Sequence, residues 1–141
     1  MKQMISLSIL TMLFVTACKK DPTGCNTDMA SISGAYKITA VNYKASSSSP
    51  EMDYFNILFP DACERDDLYT FQTNGTYLLK DAGIACSPSG DDDGTWSLSG
   101  NTMVIDGDAT VIESFNCKTL ILVNTDIQTP GDRIKLTLTK Q

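Results

Sequence analysis

Ile134-Lys135-Leu136-Thr137-Leu138-Thr139 decides the fold class. Three apolar side chains alternate with three polar ones. A period of two sets all three on one face of an extended strand, whereas the 3.6-residue period of a helix would spread them around its axis. Working outward, the same alternation recurs. Trp96 and Leu98 alternate with Thr95 and Ser97, and Tyr69 and Phe71 alternate with Leu68, Thr70 and Gln72. Val, Ile, Thr and aromatic residues crowd these stretches, as half-buried strands prefer. Turn signals separate them: Asn74-Gly75, Gly100-Asn101, Gly107 and Asn116-Cys117-Lys118. The spacing predicts eight strands, at 34–43, 68–73, 75–80, 94–98, 102–106, 109–115, 119–124 and 133–139.

Eight strands joined mostly by hairpins make a meander with one apolar face. No long helix is available to cover that face, so the expected architecture is all-β: a small antiparallel up-and-down barrel closed on itself. With the first strand running upward, the short connections at 74–75, 99–101 and 116–118 fall at the bottom. The long ones at 44–67, 81–93 and 125–132 fall at the top, which gives the barrel a loop-rich mouth. Inward Phe71, Tyr77, Trp96 and Met103 could fill much of so small an interior.

The same bookkeeping sorts the cysteines. Cys63 and Cys86 both lie at the top, whereas Cys25 precedes the barrel and Cys117 sits in a bottom turn. The expected disulfides are therefore Cys63–Cys86 and Cys25–Cys117, the alternative for the second being a free Cys25. Closing the 63–86 loop contributes roughly 3 kcal/mol by the chain-entropy argument.

At the N-terminus Lys2 precedes an apolar run from Ile5 to Val15, and Val15-Thr16-Ala17-Cys18 follows. The run of about 11 residues is too short for a bilayer, which needs ~20, and matches the apolar part of an export signal. Cys18 resembles the lipobox cysteine of bacterial lipoproteins, the residue that is acylated and becomes the first of the mature chain. Residues 1–17 then read as the signal, 18–33 as a lipidated tether and 34–141 as the barrel domain. The expected address is the outer membrane, held through N-terminal acyl chains and facing the periplasm or the surface. The even number of remaining cysteines suits an exported domain.

The composition narrows the chemistry further. A net charge of −6 disfavours nucleic acid and anionic lipid head groups as partners. The chain contains no histidine, which removes Ser-His-Asp and Cys-His catalysis and every His-containing zinc site. No C-x-x-C spacing exists to support a zinc ribbon or a redox site. The reading is non-catalytic, and no cofactor or metal is implied.

Several segments together resemble a known family. Gly34-Ala35-Tyr36 opens the first strand where lipocalins carry Gly-x-Trp. Cys63 through Tyr77 follows, then Cys86, Gly94-Thr95-Trp96-Ser97-Leu98-Ser99-Gly100-Asn101-Thr102-Met103 and the terminal Ile134 to Lys140. This pattern is similar to the lipocalin-like domain of Bacteroidetes lipoproteins. The resemblance implies a compact meandering barrel and carries over no catalytic residue. It also implies a basic residue from near the last strand packed over the first-strand aromatic, with Arg133 and Lys140 as candidates to cover Tyr36.

The first long loop carries Met52, Tyr54, Phe55, Ile57, Leu58 and Phe59. In lipocalins the corresponding loop partly lids the mouth. Met52, Tyr54, Phe55, Leu58 and Phe59 therefore either line a site for a small hydrophobic or amphipathic ligand or plug the barrel themselves. In the second case the domain would be an interaction module contacting another envelope protein. Glu113 falls in phase with Val111 and Phe115, so a regular strand turns it inward as a polar ligand contact or a partner of Arg133. Asp91-Asp92-Asp93-Gly94 reads either as a solvated turn or as clustered oxygens for calcium, although the spacing of a calcium loop is absent. Asp66 and Asp67, as neighbours in an extended chain, should point apart.

Overall fold

Period-two patterning is realised along the whole domain. The computed structural model describes residues 24–141, so the segment expected to be an export signal and Cys18 lie outside the described residues. Nine antiparallel strands form one sheet: Gly34–Lys44 (β1), Met52–Asp53 (β2), Leu68–Phe71 (β3), Thr76–Lys80 (β4), Asp92–Ser99 (β5), Thr102–Ile105 (β6), Asp108–Phe115 (β7), Thr119–Thr125 (β8) and Arg133–Lys140 (β9). Each strand from β3 onward pairs with the next, and β9 pairs with β1 from Tyr36↔Lys140 to Lys44↔Arg133. With β1 also meeting β3 at Gly34, Ala35 and Tyr36, the ring is thereby closed. All eight expected strands are present. The additional strand β2 is two residues long, too short for alternation to reveal it.

Two bulges reset the phase of the side chains. In β1, Ile38 pairs with Leu138 but Ala40 pairs with Thr137, which leaves Thr39 as the extra residue. Inward positions therefore shift from Tyr36 and Ile38 to Val41 and Tyr43. In β7, Ile112 pairs with Leu122 and Ser114 with Ile121, so Glu113 is the extra residue.

Inward side chains fill the lower and middle barrel. Tyr36, Val41, Phe71, Trp96, Met103, Leu120 and Leu138 are buried. Phe71 sits among three rings, with centroids at 5.9 Å for Tyr36, 6.2 Å for Tyr77 and 5.3 Å for Trp96. The tilted geometry suits the ring quadrupoles. Trp96 also satisfies its indole N–H, which donates to the Gln72 carbonyl at 2.8 Å.

The bottom is sealed by a one-turn helix, Met29–Ile32 (α1), whose first turn is capped by the Asp28 carboxylate accepting from Ser31 N at 2.7 Å. Ile32 is fully buried in the barrel core. The Tyr36 hydroxyl donates to the Ile32 carbonyl at 2.6 Å, and burial pushes that phenol up to about 12. Lys140 lies over the Tyr36 ring, its Nζ 5.5 Å from the centroid and donating to the Ser31 carbonyl at 2.9 Å. Of the two candidate cations, Lys140 is thus the one that covers the aromatic. Gly34 is needed here twice over: its φ is +142°, and a Cβ would lie 2.4 Å from Lys140 Cε. The boundary expected at Gly34 is too late, because α1 belongs to the core and Cys25 is bonded to Cys117. Alternation could not report this, since a one-turn plug has no period.

Candidate functional site: the barrel mouth

β3 pairs with β1 only at Gly34, Ala35 and Tyr36. Above that point the two strands diverge and leave a slot in the wall. The first long loop fills the slot. Its strand β2 pairs with Asn42 and Tyr43 of β1, and Tyr54 N donates to the Val41 carbonyl at 2.8 Å. A second one-turn helix, Phe55–Leu58 (α2), follows, and the Asp53 carboxylate accepts from Phe55 N at its start, at 2.9 Å. Tyr54, Phe55 and Phe59 pack against the barrel core, with Tyr54 on Tyr43 at 5.2 Å and Phe55 on Phe59 at 5.7 Å. Cys63–Cys86 ties the end of this loop to the β4–β5 connection.

The opposite side of the mouth stays open. There a cavity of about 330 Å³ is lined by Tyr77, Ile105, Asp106, Asp108, Thr110, Leu122, Asn124 and Leu136. Strand register explains the set. Tyr77, Thr110, Leu122, Asn124 and Leu136 all occupy inward positions on β4, β7, β8 and β9. A larger groove of about 470 Å³, lined by Leu68, Thr70, Leu78 and Lys80 among others, belongs to the outward register of β3 and β4 and is a surface trough.

Asp106 organises one wall of the cavity. Its carboxylate accepts from the Tyr77 hydroxyl at 2.6 Å and from Thr95 N at 2.8 Å. The Tyr77 bond first, and the Thr95 bond second, hold the carboxyl below the usual range. In return Asp106 is the main reason that the Tyr77 phenol is pushed up to about 12, with burial second. The pair sits directly over Gly94, where a Cβ would lie 2.2 Å from Asp106 Oδ1 and 2.6 Å from the Tyr77 ring. Any side chain at 94 would displace it.

The wall behind α2 depends on Asp132, which is 1% exposed. Its carboxylate accepts from the backbone N–H groups of Ile127 at 2.7 Å, Gln128 at 2.9 Å and Thr129 at 3.0 Å, and from the Tyr43 hydroxyl at 3.1 Å. Burial opposes ionisation, but the bonds from Thr129, Gln128, Ile127 and Tyr43 outweigh it and the acid is held below its ordinary value. A carboxylate depressed on folding stabilises the native state above its unfolded value, near 3.9, and that stabilisation is lost as pH falls through the folded value. Asp132→Asn should therefore lower the melting temperature by several degrees at neutral pH, and the gap to wild type should close as the pH falls from the ordinary carboxylate range through the acid's depressed folded value. Paired thermal melts check this.

The residues expected at the site fall into separate places. Tyr54, Phe55 and Phe59 form the plug in the slot, while Met52 and Leu58 are 49% and 41% exposed. None of the five lines the cavity. Glu113 is a correction: as the bulge residue it turns outward and bridges the Arg133 guanidinium on the outer surface. Thr110 and Ile112 are the inward residues ahead of the bulge and Val111 is outward; the bulge then brings Phe115 back to the core, so the shared phase of Val111, Glu113 and Phe115 does not mark one face. Asp92 and Asp93 are successive residues of β5, so their side chains diverge, and Asp91 pairs with Lys80 at 2.5 Å. The three cannot converge on one cation. Asp66 and Asp67 precede β3 and do not point apart. Both turn to the 81–86 loop, accepting from Ile84 N at 2.8 Å and Ala82 N at 3.4 Å. Burial, and then the neighbouring Asp81, Asp66 and Glu64, raises the Asp67 carboxyl.

Asp106, Thr110 and Asn124 were legible only in part. Asn124 stands two residues beyond Leu122 on one strand face, so parity alone marks it as an inward polar residue. Asp106 reads as an ordinary turn residue, and only the register brings Tyr77 to it across β5.

A closed eight-stranded ring with a plugged floor, a loop lid and an open mouth defines a barrel of the type that houses small ligands. The profile of the lipocalin-like domain matches residues 32–123, and the chain belongs to that family. The family is in general one of binding rather than catalytic domains. No curated protein matches the chain.

Proposed function

We propose that this protein is an envelope lipoprotein, anchored through acyl chains on Cys18, whose barrel binds a small hydrophobic or amphipathic ligand without catalysing a reaction. The observation that carries the reading is the cavity at the mouth, where the apolar side chains of Ile105, Leu122 and Leu136 share one lining with the polar groups of Tyr77, Asp106, Thr110 and Asn124. Such a combination buries an apolar body and orients a polar end. The tether enters at the sealed bottom, so an anchored domain would present the mouth away from the membrane.

Native mass spectrometry of the protein purified from its host tests this directly. A co-purified small molecule is expected, and Leu136→Trp, which fills the cavity, should abolish it with the far-ultraviolet circular dichroism unchanged. Recovery of the same molecule from the Trp variant would sink the cavity as the site. A second reading, an interaction module for another envelope protein, is favoured by one observation: Met52, Ile57, Leu58 and Ile84 are exposed apolar residues in the loops at the mouth end. A stable protein partner retrieved by cross-linking in place of any ligand would favour it.

A further inference from the structure

Polar groups around the mouth carry one sign of charge. Asp106 and Asp108 flank the β6–β7 turn at the cavity, and no basic residue lines it. Asp92 stands close enough to act on the Tyr77 phenol as well. The basic residues of this end are directed elsewhere: Arg133 pairs with Glu113, Lys135 with Glu51 at 2.8 Å and Lys80 with Asp91 at 2.5 Å, Arg65 donates to the Phe59 and Pro60 carbonyls, and Lys44, next to the inward Tyr43 on β1, lies on the outward register. Lys135 and Arg133 alternate with the inward Ile134 and Leu136, so both point away from the interior.

Asp106 also retains acceptor capacity. A carboxylate offers about four lone-pair directions, of which Tyr77 and Thr95 use two. The Asp108 carboxylate makes no hydrogen bond among the described residues and is exposed at the rim. An anionic head group brought here would meet two like charges with no counter-ion, whereas an ammonium group would meet two acceptors at the exposed rim of the cavity.

We infer that the mouth selects amphipathic ligands whose polar end is a protonated amine, with the apolar body against Ile105, Leu122 and Leu136 and the ammonium beside Asp106 and Asp108. The inference rests on the ligand-binding reading above and narrows it to a chemical class.

Titration calorimetry of the disulfide-intact protein with decylammonium, decanol and decanoate at neutral pH and low salt tests it. Decylammonium should bind several-fold more tightly than decanol, and decanoate more weakly than either. Asp108→Asn, which removes a charge without touching the Tyr77–Asp106 pair, should cut the preference for the amine and leave decanol unchanged. Salt at ~0.5 M should shrink the same preference. Equal binding of decanol or decanoate would overturn the amine selectivity while leaving a binding site in place. An unchanged decylammonium affinity in Leu136→Trp would show adsorption to the acidic surface and overturn it too. No binding of any of the three would remove the ligand-binding reading along with the inference.

Discussion

Phe71→Ala should destabilise the domain by about 3–5 kcal/mol, the range for truncating a buried aromatic. Phe71 is 2% exposed and stands where the rings of Tyr36, Tyr77 and Trp96 meet. Removing it opens a void at the crossing of β1, β3, β4 and β5, and strands locked into a closed ring cannot collapse to refill it. The loss is comparable to the whole stability of many small domains. Urea unfolding followed by the fluorescence of Trp96, the chain's one tryptophan, reads the effect at its source, with the ring 5.3 Å away. The midpoint should fall with the slope unchanged, and Phe71→Leu, which keeps most of the volume, should lose far less. A loss below about 1 kcal/mol for Phe71→Ala would mean that the interior is loosely packed and that the cavity reaches down to it.

The fold was legible because burial on one face of a strand imposes parity, and parity survives in the sequence. Ile134, Leu136 and Leu138 do face inward, paired with Tyr43, Val41 and Ile38 across the closing seam. The loop count followed from parity as well, since direction alternates at each turn, and it correctly joined Cys63 to Cys86 and Cys25 to Cys117.

What parity cannot carry is an interruption of itself. A bulge adds one residue and inverts everything beyond it. Glu113 therefore read as inward, although it lies outside against Arg133. The site suffers more than the fold from such slips. Its residues sit mostly near strand ends, and it is register across β5 that brings Tyr77 to Asp106, 29 residues further on. The first long loop stays between two roles, lining and plugging, for a different reason. The apolar count in 52–59 is a property of composition, and it does not say whether aromatic rings face an empty cavity or pack into a slot in the wall. The slot exists because β3 leaves β1 after Tyr36, and no local pattern encodes where two strands part.

Removing Cys25–Cys117 should weaken the domain more than removing Cys63–Cys86. The first closes a loop of 92 residues and the second one of 23. By the chain-entropy argument these contribute about 4.5 and about 3 kcal/mol. The difference is widened by what each bridge holds. Cys63–Cys86 joins two surface loops that are also connected by Asp66 and Asp67 to the backbone of Ile84 and Ala82. Cys25–Cys117 anchors the segment leading into α1, which carries the buried Ile32 and the carbonyl that Lys140 grips. Cys117 itself sits at φ +69°, a left-handed conformation, in a turn where Asn116 Oδ1 accepts from Lys118 N and Thr119 N. A serine there keeps the strain without the bridge, whereas glycine relieves it, by about 1 kcal/mol. Cys25→Ser with Cys117→Gly should therefore be more stable than Cys25→Ser with Cys117→Ser, and both less stable than Cys63→Ser with Cys86→Ser. Urea midpoints of the three double variants decide the order. If the top-bridge variant proved the weakest, the closure that holds this barrel together would be the one at its mouth, and the floor built from α1, Tyr36 and Lys140 would be self-sufficient.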